Sequence, residues 1–267
     1  MPTQKQKRKR TLLGIIGVVS ALLFIGGLLT QPRWIFHLAT YFFPGAIYSV
    51  EVEEESAPQK VVALTIDDGP SPETANILAV LEAHNAKATF FNISGNVHTR
   101  EAIVQRTVTA GHELGNHLTT DSPSIKLSPE DFETNLLTAE QALLPFIQSS
   151  HPQAKLHWLR PGMGFYNAKM VETAQRHGYQ LVLGSTFPYD THIHSARFAS
   201  AFILRTIQPG DIIVLHDGEE RGQRTVKTLK VILPVLQAKG YKITTVSGLT
   251  DSELTYSGLT ESGLTDQ

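Results

Sequence analysis

Between residues 61 and 246 short, nearly continuous apolar runs alternate with longer stretches in which apolar residues recur at helical spacing. The runs occupy 61–66, 87–93, 113–117, 156–160, 179–185, 211–216 and 242–246. Runs of this kind predict parallel strands covered on both faces, and their alternation with helices predicts repeated βαβ units. Ser71-Pro72-Glu73 marks a helix start before Ile77, Leu78, Val80 and Leu81. Ser128-Pro129-Glu130-Asp131 repeats the device before Phe132, Leu136, Leu137 and Ala139. Further helices are expected at 100–110, 168–177, 195–207 and 224–239. A barrel and an open doubly wound sheet both satisfy this pattern.

The two ends break the alternation. Lys5, Lys7, Arg8, Lys9 and Arg10 precede an uncharged, mostly apolar stretch from Thr11 to Thr30, and about 20 such residues suffice to cross a bilayer as a helix. Basic residues stay on the cytoplasmic side. The expectation is a cytoplasmic tail at 1–10, a transmembrane anchor at 11–30 and a single-pass membrane protein whose remaining chain lies on the extracytoplasmic side. A cleaved signal peptide is the rival, although its apolar region is usually shorter, about 7 to 15 residues. Residues 31–55 read as a membrane-proximal linker, in which Trp34, Phe36, Tyr41, Phe42 and Phe43 either form an interfacial aromatic belt or pack on the soluble domain. At the other end Ser-Gly-Leu-Thr recurs at 247, 257 and 262. Such copies are too short for a solenoid, and 248–267 reads as a disordered tail.

Composition narrows the picture modestly. The formal net charge of -2 over 267 residues gives no general electrostatic reason to expect nucleic acid. Cysteine is absent, which excludes disulfides, thiolate metal sites and a cysteine nucleophile.

Candidate chemistry collects where the predicted strands end. Asp67 and Asp68 follow the first run, His117 ends the third, Arg160 the fourth, Asp190 follows the fifth, and His216 with Asp217 ends the sixth. In parallel α/β architectures the carboxyl ends of the strands form one face, where active sites sit. Two adjacent acids at a strand end suit a division of labour, one binding a metal and the other moving a proton; an Asp-Asp-Gly-Pro surface turn is the bland alternative. His117 and Asp121 are four apart, a spacing that in a helical turn sets both on one face as metal donors. Asp121 equally suits bracing the turn before Ser122-Pro123.

Leu64-Thr65-Ile66-Asp67-Asp68-Gly69-Pro70, Lys87-Ala88-Thr89-Phe90-Phe91, Gly111-His112-Glu113-Leu114-Gly115-Asn116-His117, Leu159-Arg160-Pro161-Gly162 and Val214-Leu215-His216-Asp217 resemble, in order, the signatures of the NodB-like polysaccharide deacetylases, carbohydrate esterase family 4. The resemblance spans a domain at 56–247. It implies a distorted seven-stranded (β/α) barrel and a hydrolase that removes N-acetyl groups from N-acetylglucosamine-containing polysaccharide, chitin-like or peptidoglycan. By position it makes Asp67 the general base, Asp68, His117 and Asp121 the metal ligands and His216 the general acid. Arg160 would orient Asp67, with Asp190 near that arginine. Zinc is the expected metal, with manganese or cobalt as the other candidates.

Three departures mark this chain. Asp121 stands where the family usually has a second histidine, which makes a harder donor set. Gly162-Met163 replaces the aromatic residue after arginine-proline, and the tryptophan that often follows the last signature is missing. His-x-x-x-Asp together with arginine-proline-glycine is similar to a chitin-deacetylase-like subgroup. The alternatives are a membrane-tethered glycan-binding pseudoenzyme and a deacetylase or esterase of another acetylated glycan.

Overall fold

The computed structural model describes residues 4–51, 59–149 and 151–251. Eight parallel strands form one sheet: β1 (Ala46–Ile47), β2 (Lys60–Asp67), β3 (Thr89–Asn92), β4 (Glu113–Asn116), β5 (Trp158–Leu159), β6 (Gln180–Val182), β7 (Ile212–His216) and β8 (Tyr241–Thr244). Their order is β1-β6-β5-β4-β3-β2-β7, with β8 pairing the first half of β2. Among the described residues two isolated bridges bring the open edges together, Ser49 with Asp211 (antiparallel) and Thr186 with Ile213 (parallel). The result is an incompletely closed parallel barrel, the architecture the family resemblance implies, in which each of the seven apolar runs carries one of the strands β2 to β8 and β1 is added to them.

β2 is the central strand. From Val61 to Asp67 every side chain is buried, because β3, β7 and β8 flank it and helices cover the outside. Around it lie α3 (Thr74–Ala83), α4 (Glu101–Thr109), α5 (Pro129–Gln148), α6 (Ala168–Arg176), α7 (Ala196–Thr206) and α8 (Glu219–Ala238). Ser128 caps α5 as its sequence predicts, accepting from the Asp131 amide at 3.1 Å. The other Ser-Pro start differs. α3 begins at Thr74 with no side-chain cap, while the Ser71 hydroxyl accepts from the Glu73 amide at 3.0 Å and donates to Asp217 at 2.6 Å.

Several expectations about the ends change. Helix α1 (Gln4–Thr30) takes in the basic residues as well as the apolar stretch. Among the described residues no helix is long and apolar enough to cross a membrane; the side chains at 11, 12, 21, 22, 25, 28 and 29 lie outside that description. The anchor expected at 11–30 therefore rests on its sequence.

The stretch after it is not a plain linker. It forms α2 (Arg33–Phe42) and then β1, which pairs with β6 as Ala46 to Leu181 and Ile47 to Val182. The supposed belt divides: Phe36 stacks on Tyr48 with ring centroids 6.0 Å apart, while Trp34, Tyr41, Phe42 and Phe43 are exposed. The first Ser-Gly-Leu-Thr copy also folds. Ser247 bonds Glu113, and Leu249 is buried in a small cluster with Val246 and Phe91. Residues 252–267, most of the expected tail, and 52–58, where the linker was to meet the domain, lie outside the described residues.

Candidate active site

Parallel register brings the first pair together. Asp67 and His216 are partners on adjacent strands β2 and β7, so their side chains leave the sheet at the same level of its carboxyl end. Asp67 is 3% exposed and meets the Arg160 guanidinium at 2.6 Å. Arg160 comes from the end of β5 across the barrel. Its other bonds go to the Thr65 hydroxyl at 2.7 Å and the Val182 carbonyl at 3.0 Å, and its guanidinium lies 4.2 Å from the centre of the Phe91 ring. Such a fixed, buried guanidinium leaves its carboxylate one orientation.

His216 has a partner of opposite sign. Asp190 reaches its Nδ1 at 2.9 Å and also accepts from its backbone amide at 3.0 Å. The carboxylate can only accept, so Nδ1 carries a proton and Nε2 faces the site. Burial alone would lower the imidazole pKa, but the charge and hydrogen bond of Asp190, with Asp67 and Asp68 beyond, raise it to about 9. Asp190 thus pairs with His216 and not with Arg160, the neighbour expected for it from the sequence. Each of the two acids therefore serves a different cation, Asp67 the guanidinium and Asp190 the imidazole.

Asp68 and His117 form the second pair. Asp68 has φ 69, a conformation uncommon for any residue but glycine, and its carboxylate turns to His117, with Nε2 and Oδ1 3.4 Å apart. His117 Nδ1 donates to the Arg160 carbonyl at 2.6 Å, which leaves Nε2 to face Asp68. Burial raises the Asp68 carboxyl, yet the bond and charge of His117, with His216 and Arg221, hold it below its usual value. Burial lowers the His117 imidazole, and the bond to Asp68 with the charges of Asp67 and Asp68 more than restores it.

The third expected ligand stands differently. Leu118 adopts φ 62, and the carbonyls of Leu118 and Thr119 accept from the amides of Ser94 and Gly95. No helical turn forms, so His117 and Asp121 do not share a helix face. The Asp121 side chain is 47% exposed and lies 3.5 Å from Arg221. Arg221 simultaneously holds the outer oxygen of Asp68 at 2.7 Å. Among the described residues no group of three or more His, Cys, Asp or Glu stands ready to hold a metal ion. Two donors do fit: ligands about 2.1 Å from a tetrahedral ion stand about 3.4 Å apart, the separation of Asp68 and His117, and a histidine ligand usually gives its second N–H to a carbonyl as His117 does.

Sequence reasoning passed over Arg221. Its signal was a cation in the first turn of α8, where the helix dipole disfavours positive charge, three residues beyond Gly218. It also left Gly162 as a bare departure from pattern. A Cβ there would run into the Ser122 carbonyl, and the Gly162 amide donates to the Ser124 hydroxyl. The glycine lets the Arg160 turn pack against the loop that carries Asp121. His112 belongs to the core, where burial and Lys87 push its pKa down to about 4.

The model of the family "Polysaccharide deacetylase" matches residues 54–182. The peptidoglycan-N-acetylglucosamine deacetylase of Bacillus cereus is 34% identical over 194 residues, 72% of this chain and 88% of the relative. The chain belongs to the polysaccharide deacetylase family. A chitooligosaccharide deacetylase of Bradyrhizobium sp. is also 34% identical, covering 68% of this chain and 87% of that one. Among solved structures, the Xyl-CE4 domain of a multidomain xylanase from the hindgut metagenome of Trinervitermes trinervoides superposes with a TM-score of 0.66 at 30% identity, covering 73% of this chain and 91% of that domain. As a polysaccharide deacetylase, this chain is a hydrolase acting on carbon–nitrogen bonds other than peptide bonds.

Proposed function

We propose that this deacetylase removes N-acetyl groups from N-acetylglucosamine-containing polysaccharide, chitin-like or peptidoglycan, with Asp67 as general base and His216 as general acid. The observation that carries the reading is the Asp67–His216 register across β2 and β7, each member held by a buried partner of opposite charge. Asp67, oriented by Arg160, takes the proton of an attacking water. His216, protonated at neutral pH and steered by Asp190, gives a proton to the amine that leaves the sugar. A base and an acid of this kind contribute about 10² to 10⁴ each. Asp68 and His117, with Asp121, would hold a divalent cation, zinc first and manganese or cobalt next, that supplies acidity to water and polarises the acetamide carbonyl. The names of the relatives, one for peptidoglycan N-acetylglucosamine and one for chitooligosaccharide, support the substrate class.

The uncharged stretch at 11–30 anchors the chain in a membrane, with the barrel on the extracytoplasmic side. Its sequence, preceded by the basic cluster, supports this, as do the exposed Leu13, Ile15, Ile16, Val18, Val19, Leu23 and Phe24.

An acetate-release panel on the full chain in mild detergent tests the reading. Chitooligosaccharide, peptidoglycan and acetylated xylan are offered with chelator and with added zinc, manganese or cobalt. Release from the first two, abolished by chelator, is expected. Release from xylan alone would shift the substrate to another acetylated glycan, and no release under any condition would favour a glycan-binding pseudoenzyme.

A further inference from the structure

Gln31 terminates α1 in a left-handed conformation, φ 40, with its amide bonded to the Gly27 carbonyl at 2.9 Å. Glycine or asparagine usually occupies that position, and a residue held in such a conformation points to a function for it. Here the strained backbone delivers a side chain to the barrel. Gln31 Nε2 donates to the Phe187 carbonyl at 2.8 Å, and Gln31 Oε1 accepts from the Phe187 amide at 3.0 Å. A glutamine amide thus bonds one residue of a loop on both its backbone groups, as a paired strand would.

Phe187 is three residues before Asp190. Its ring lies edge-on to His216, with centroids 5.9 Å apart, and against Tyr189 at 5.4 Å. Tyr189 has φ 57, so the short segment from Phe187 to Asp190 is bent. The rest of the strap is equally tied down. Arg33 bonds the Pro209 carbonyl and stands 3.7 Å from Asp211, just before β7. Tyr166, on the loop beyond Arg160, donates to the Phe43 carbonyl.

We infer that Gln31 is a positioning residue for His216. Gln31 fixes the Phe187 backbone, which sets Asp190 and the aromatic wall against which the imidazole is aimed. This rests on His216 as the acid, and the test separates the two ideas. In the full chain, Gln31→Ala is expected to lower kcat about 10- to 100-fold, the scale of a small misplacement of a reacting group, with KM within about twofold. Gln31→Glu keeps the acceptor for the Phe187 amide and loses the donor, and should fall between. Phe36→Ala, which loosens the same segment on Tyr48 without touching Phe187, should lower Tm and leave kcat unchanged.

The His216 Nδ1 proton, assigned by NMR with His216→Gln as reference, reports the geometry whether or not the chain turns over. Its signal should shift or broaden in Gln31→Ala and stay in place in Phe36→Ala. An unchanged Nδ1 signal in Gln31→Ala overturns the inference even if deacetylation is confirmed. So does a kcat loss that Phe36→Ala reproduces at equal Tm.

Discussion

The two flanks of the site are built by different means. On the proton-transfer flank, Asp67 and His216 are register partners on adjacent strands, and Arg160 and Asp190, which hold them, are themselves buried. On the cation flank, Asp68 and His117 come from strand ends, but Asp121 hangs on a loop at 47% exposure and shares Arg221 with Asp68. Backbone pairing fixes the first set before any ligand arrives. The proposed cation set has no such fixing for its third member, which stands on an exposed loop beside Arg221.

The largest effect should come from breaking the rigid flank. Asp67→Asn and His216→Ala should each lower deacetylation by about 10² to 10⁴, measured as acetate release per folded enzyme. Asp67→Asn also leaves Arg160 buried without its counter-charge, so its Tm should fall as well; removing one partner of a buried pair costs about 3–5 kcal/mol. Near-normal turnover in either variant would refute the role.

The cation flank should respond unequally. His117→Ala is expected to abolish stoichiometric zinc binding in a chelator-competition titration. Asp121→Asn should weaken it by less, about 10- to 100-fold, because this proposed ligand stands on an exposed loop. Equal losses would mean that Asp121 is a full ligand and that the two flanks are built alike.

A pH profile sharpens the contrast further. As the proposed acid, His216 would donate only when protonated, and its pKa is raised to about 9, so kcat should hold through neutral pH and fall as pH rises through about 9. Asp190→Asn removes the main cause of the rise and should move that fall down towards the ordinary 6.5. The same shift contributes stability that is complete below the unfolded value near 6.5 and lost as pH rises through about 9; a Tm series across that window should show it. The smallest effect is expected of Gly162→Ala, which pushes on Ser122 and so on the loop of Asp121. It should weaken zinc binding by a few fold, roughly 1 kcal/mol, and leave the alkaline limb of the profile in place.

Periodicity alone located every strand from β2 to β8, because a strand covered on both faces must be apolar throughout. The strand-end rule then picked out Asp67, Asp68, His117, Arg160, Asp190, His216 and Asp217 from positions about 150 residues apart; Asp217 turns instead to the Ser71 and Thr74 hydroxyls. β1 was not legible: two residues carry no period, and only the exposed edge of β6 makes Ala46–Ile47 a strand. Nor was the pairing of Asp190, since neighbourhood in sequence to Phe187-Pro188-Tyr189 says nothing about which of two cations lies opposite. The shared helix face that His117 and Asp121 would have in a helical turn does not arise, because Leu118 and Thr119 spend their carbonyls on Ser94 and Gly95, bonds to a distant loop that local spacing does not contain.

The sequence by itself determined the strand and helix order, the apolar N-terminal segment and the acids, arginine and histidines at the strand ends, since these follow from burial period and residue chemistry. Only the tertiary structure decided which cation each acid meets, that Arg221 stands between Asp68 and Asp121, and that Gln31 reaches the loop of Asp190. Those contacts join residues of distant elements, and their distances are set by how the barrel nearly closes on itself.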